Sequence, residues 1–209
     1  MTADDFAEQV REDNRTALSR LGSSKALYAD TKGEMDAETV LRAAAVAERA
    51  AQETFAAWAE SEDGEAAEAF RETAEEEREH YERVLSKLDA DEVEVDEVPA
   101  IQSYLRGLDD TVERAGGLLG RTVAAGKSKD QLVGFFVGQA DPQTSQLFRD
   151  LGGDLDGQLE RAESLVEAVC ADDEDRERAL AAASGAIQAA YEEYTERLEG
   201  MGVNPKPVC

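Results

Sequence analysis

The sequence predicts an all-α protein, a bundle assembled from helical hairpins, and three observations carry that prediction. Apolar residues recur at steps of three and four through every long segment. The only alternating stretch is Val93-Glu94-Val95, too short for more than part of a linker. Of the 209 residues, 42% are hydrophobic and 33% charged, enough apolar surface to close a core under a heavily charged exterior.

The elements follow in order. Residues 4–21 place Phe6, Val10, Ala17 and Leu21 on one side of a first helix, and Gly22-Ser23-Ser24 and residues 30–33 read as turns. Asp36 has the chemistry of an N-cap. The helix it opens runs to residue 60 with Leu41, Ala44, Glu48, Ala51, Phe55 and Trp58 on its stripe. Ser61-Glu62-Asp63-Gly64 turns the chain into a partner helix over 65–88, whose stripe reads Phe70, Thr73, Glu77, His80, Val84 and Leu88. Residues 1–88 therefore form an N-terminal helix plus a hairpin. Residues 89–99 are acidic, lack helical period and end in proline, as a linker does.

Residues 100–202 form a second helical half packing on the first. A helix over 100–125 carries Ile101, Leu105, Leu108, Val112, Ala115, Leu119 and Val123, interrupted at Gly116-Gly117, and a short apolar helix spans 132–139 with Phe135 and Phe136 packing it down. Asp141-Pro142 supplies an N-cap and first-turn pair for a helix bearing Leu147, Leu151, Leu155, Leu159, Ala162, Val166 and Val169, expected to bend at Gly152-Gly153. The last helix, 173–199, aligns Leu180, Ala183, Ile187, Ala190, Tyr194 and Leu198 and is closed by Gly200 and Gly202; residues 203–209 form a flexible tail.

Charge narrows the function classes. Against 22 Lys and Arg stand 48 Asp and Glu, a formal charge of −26, which argues against nucleic-acid and anionic-membrane surfaces. Arg106, Arg114 and Arg121 make a spaced basic face, but acids interleave it. The acid-rich, Lys-poor, Ala-rich composition resembles that of salt-accumulating halophilic archaea, where molar salt screens self-repulsion to within a few ångströms. Cys170 and Cys209 form no CxxC pair and imply no disulfide framework, and the start has neither a basic nor an apolar targeting region, so a cytoplasmic location is expected.

Glu48, Glu77 and His80, the only histidine, interrupt otherwise apolar stripes. A buried carboxylate demands a compensating charge, and a metal ion is one source of it. With the turn at 62–63, Glu48 and Glu77 are equidistant from it and level across the hairpin; Glu77 and His80, three apart, share a face. Two carboxylates and an imidazole suit iron or manganese, with zinc able to compete. Glu113 and Glu163 lie beside the stripes of the second half and read as solvated flanks.

The run FRETAEEEREHYERV at 70–84, with its ETAxxExxH pattern, and AERAAQETF at 47–55 resemble the paired helices of rubrerythrin-like members of the ferritin-like superfamily. The resemblance covers residues 36–88. It implies a ferritin-like helical bundle with additional helices and a di-iron centre, in which Glu48 is a terminal or bridging ligand, Glu77 a bridging one and His80 a terminal nitrogen ligand. The implied activity is oxygen, peroxide or iron handling, of peroxidase or ferroxidase type, fed by an external electron donor because the CxxC pairs of a rubredoxin module are absent. One histidine cannot complete the usual set of two ExxH motifs. A homodimer sharing the site, as in two-helix encapsulated ferritins, an asymmetric or single-metal site, and a metal-free bundle with an interaction or regulatory role all remain open.

Overall fold

A computed structural model describes residues 3–206, so the expectations that rest on Met1, Thr2 and Cys209 lie outside the described residues. Among the described residues the chain is all-α: nine helices and no strand. The hairpin is built as its sequence dictates. α4 (Ala37–Ser61) begins where the Asp36 carboxylate accepts the Thr39 backbone N–H at 3.0 Å, and α5 (Gly64–Leu88) follows after two residues. Gly64 has φ +59°, a conformation that a residue with a side chain adopts only at a cost.

Several boundaries differ from the sequence reading. The expected first helix is two, α1 (Ala3–Asp13) and α2 (Arg15–Leu21), broken at buried Asn14, whose side chain donates to Val10 O and Ser184 Oγ. Between the turns expected at 22–24 and 30–33, where the sequence reading assigned no element, the chain forms α3 (Ser24–Asp30). The helix expected over 100–125 divides at residues 107–110 into α6 (Ala100–Arg106) and α7 (Thr111–Gly138), and α7 absorbs the separate helix expected at 132–139. Asp110 causes the division by accepting the N–H groups of Val112 and Glu113. α8 (Pro142–Val169) starts at Asp141 and runs through Gly152-Gly153; α9 (Asp173–Gly200) starts at Asp172.

α4 packs on α5, α5 on α8, and α8 on α7, with α9 against the outer side of α7. α4 and α7 approach each other less closely than these pairs. Small residues set the α7–α9 contact: a Cβ on Gly116 or Gly120 would overlap the backbone carbonyls of Ala179 and Ala183. Residues 89–99 are a strap across the hairpin. The Val93 N–H donates to the Tyr81 hydroxyl at 3.0 Å, its carbonyl accepts from Arg49 at 3.1 Å, and its side chain is buried. The described end of the tail is tied down, since Lys25 donates to the carbonyls of Asn204 and Lys206 and the Tyr194 hydroxyl to that of Pro205.

The core comes in two main apolar bodies. One contains Phe55, Trp58 and Phe70, in edge-on ring contact, with Leu118 and Leu119; the other contains Leu41, Val84, Leu132, Phe136 and Phe148. Between the two bodies α4 contributes buried Glu48, α5 buried Glu77 and His80, and α8 buried Gln158. No helix among the described residues is long and apolar enough to cross a membrane. Gly116→Ala or Gly120→Ala should each lower folding stability by about 1–3 kcal/mol, the usual cost of forcing atoms into a filled contact, whereas Gly134→Ala, with open space at its Cβ, should not. Denaturant titration of the three variants in molar salt checks this.

Candidate functional site: a buried charged layer

Between the two apolar bodies, Glu48, Glu77 and His80 meet at 1%, 0% and 2% exposure. One ligand-type atom from each lies within 4.8 Å of the others. The hairpin geometry brings them together because the turn at 62–63 levels Glu48 with Glu77, and helical pitch puts His80 one turn further on.

The second half supplies the rest of the layer, and it supplies cations and an amide. The Arg121 guanidinium of α7 grips Glu77 with two hydrogen bonds of 2.7 Å, one to each oxygen. Gln158 of α8, fully buried, donates to Glu77 Oε1 at 2.7 Å and accepts from Arg121 at 3.2 Å. Lys129, two turns beyond Arg121, donates to Glu48 Oε1. Two carboxylates thus face two cations, each of the four at least nine-tenths buried. Fork-to-fork pairing of this kind is the strongest arrangement available to a guanidinium and a carboxylate. Burial alone would push the Glu77 carboxyl up, but the adjacent Arg121 charge and its hydrogen bonds outweigh that and hold it far below the ordinary range.

The imidazole links the layer to the surface. His80 Nε2 lies 3.2 Å from the Asp154 carboxylate, whose side chain is 49% exposed, while His80 Nδ1 faces Glu48 Oε2 at 4.0 Å. Neither of those facing atoms has a hydrogen-bond partner. The face on which a second copy would have to complete a shared centre is covered by α7 and α8 of the same chain.

Sequence reasoning placed Arg121 on an interrupted basic face. That face does not exist: Arg121 is buried, Arg114 pairs with Glu62 and lies over Trp58, and Arg106 reaches Thr54, the Ala50 carbonyl and Glu53. Lys129 and Gln158 were not singled out. Gln158 had a readable signal, since Leu151, Leu155, Gln158 and Ala162 continue one stripe. Arg121 and Lys129 lie eight residues apart and so share a face once 111–138 is one helix. Glu113 faces Arg178 on the surface, and neither it nor Glu163 belongs to the group formed by Glu48, Glu77 and His80.

No family model matches the chain, and neither the curated proteins nor the solved structures contain a match.

Two measurements test the energetics. Arg121→Leu strands a buried carboxylate and should cost about 3–5 kcal/mol, of which a second change, Glu77→Gln, should return roughly 1–2 kcal/mol in a double-mutant cycle. The Arg121 charge, against the opposing effect of burial, holds the Glu77 carboxyl of the folded chain below the ordinary value of 4.5. The contribution of Glu77 to stability is therefore complete above that pH and is lost as pH falls below it. Acid titration of folding should show this loss, and Glu77→Gln should flatten it.

Proposed function

We propose that this protein is a ferritin-like helical bundle that works without a redox metal and serves a binding role. The observation that carries the reading is the pairing of Glu77 with Arg121 and of Glu48 with Lys129. In a di-iron bundle, the helices facing the first hairpin add carboxylates and a second histidine to the layer; here the facing positions hold a guanidinium, an ammonium and an amide. The layer is already neutral. A divalent ion added to it would leave two uncompensated positive charges in the core and would have to displace hydrogen bonds that hold Glu77 by both oxygens. The donor set therefore does not fit a di-metal centre.

One observation favours a second reading, a single iron or manganese ion on Glu48, Glu77 and His80. Glu48 Oε2 and His80 Nδ1 face each other without hydrogen-bond partners, and the contact of His80 Nε2 with Asp154 is the kind of outer-shell support that metal-bound imidazoles have. Under either reading we take the protein to work in the cytoplasm of a salt-accumulating cell, an inference supported by 48 acidic against 22 basic residues.

Metal content separates the two. Protein produced with iron and manganese added to the medium, purified in molar salt and analysed for elements, should hold well under one equivalent of any transition metal. One equivalent per chain, lost on chelation and restored by the ion, would overturn the metal-free reading and establish the other.

A further inference from the structure

The interval that α4 and α7 leave between them is a cavity of about 320 Å³, within the size range of small-molecule sites. Its apolar wall includes Leu27 of α3, Ala44 and Ala47 of α4, and Ala124 and Leu132 of α7. Asp30, Glu94, Asp96, Glu97 and Glu193 also line it. Against these stand four cations in the lining, and all are engaged: Arg121 by Glu77, Lys129 by Glu48, Lys32 by Glu97, and Arg197 by both Asp30 and Glu193. Glu94 and Asp96 have no cation partner among the described residues. Burial pushes the Glu193 carboxyl above its ordinary range, only partly relieved by the shared Arg197.

An independent observation points to a ligand. Gln102, on the first turn of α6, lines the cavity, is 2% exposed, and its side-chain carbonyl oxygen has no hydrogen-bond partner. A buried acceptor left empty costs about 1–3 kcal/mol, which a donor from a ligand would recover. Gln102 stands beside the carboxylates, since the Ala100 N–H of the same turn donates to Glu193. Free acceptors, excess negative charge and an apolar wall together describe a positively charged hydrogen-bond donor on a hydrocarbon stem; an anion would find every cation taken.

We propose that this cavity binds an aliphatic ammonium ion, its head donating to the Gln102 carbonyl among the lining carboxylates and its stem lying along the alanine wall. The inference deepens the binding role proposed above, and its test does not depend on metal content, so either can fail alone.

The test is calorimetry and thermal unfolding of the full chain in molar potassium chloride with hexylammonium, 1-hexanol and hexanoate as probes. Hexylammonium should bind and raise the unfolding midpoint, with a Kd about tenfold or more below that of hexanol, as a charge-assisted hydrogen bond implies. Hexanoate should not bind. Gln102→Leu should weaken hexylammonium about fivefold or more while leaving hexanol unchanged, and Ala47→Leu, at a position open to the cavity, should abolish binding of both without lowering the unfolding midpoint. Equal affinity for hexanol, preference for hexanoate, no binding of any probe at tens of millimolar, or unaltered hexylammonium binding in both variants would each overturn the proposal.

Discussion

Two carboxylates in the middle of an apolar bundle are the constraint around which the rest of the molecule is organised. Ionised Glu48 and Glu77 could not stay in the core alone, and their partners arrive from sequence positions 44 and 81 residues away. That requirement fixes how the second half docks. α7 must present Arg121 and Lys129 from one face, two turns apart, to a hairpin that presents Glu77 and Glu48; α8 must bring Gln158 level with Glu77 and Asp154 level with His80. Shifting α7 along its axis by one turn would separate both ion pairs at once. The charged layer thus ties α7 to one alignment with the hairpin, as the close contact of Gly116 and Gly120 ties it to α9.

How much of this was legible in the sequence depended on whether the information was local. The α4–α5 hairpin was readable because polar residues interrupting two regular stripes are visible one helix at a time, and a turn of two residues sets their level. The partners of those residues were not. A lysine or arginine near a stripe ordinarily extends to solvent along its apolar stem, so Arg121 and Lys129 look the same whether they end in water or on a carboxylate. Their shared face was further hidden by the segment Gly126-Lys127-Ser128-Lys129-Asp130, whose glycine and polar residues argue for a break. α7 continues through it because the helix lies between α8 and α9, and packing outweighs a weak local preference.

The same distinction separates the charges that matter from those that do not. Most of the 48 acids lie on outer helix faces, where pairs such as Arg42 with Glu38 are half-exposed and contribute little. A few do more than cover the surface. Glu48 and Glu77 hold the centre of the bundle, and the carboxylates of Asp30, Glu193 and the strap ring the space that α4 and α7 leave between them. That space borders the charged layer itself, since Glu48, Arg121 and Lys129 belong to the lining of the one and the substance of the other.

The strap has a consequence of its own. Residues 89–99 are pinned to the hairpin at Val93, through the Tyr81 hydroxyl and Arg49, and the very next residues, Glu94, Asp96 and Glu97, line the cavity. Three of its carboxylates are thus carried on a segment held by the two hydrogen bonds and buried side chain of Val93 and by the ion pairs of Glu92 with Arg49 and Glu97 with Lys32. Displacing the strap would carry these three carboxylates off together, so the negative potential of the cavity depends on how firmly that one segment is held.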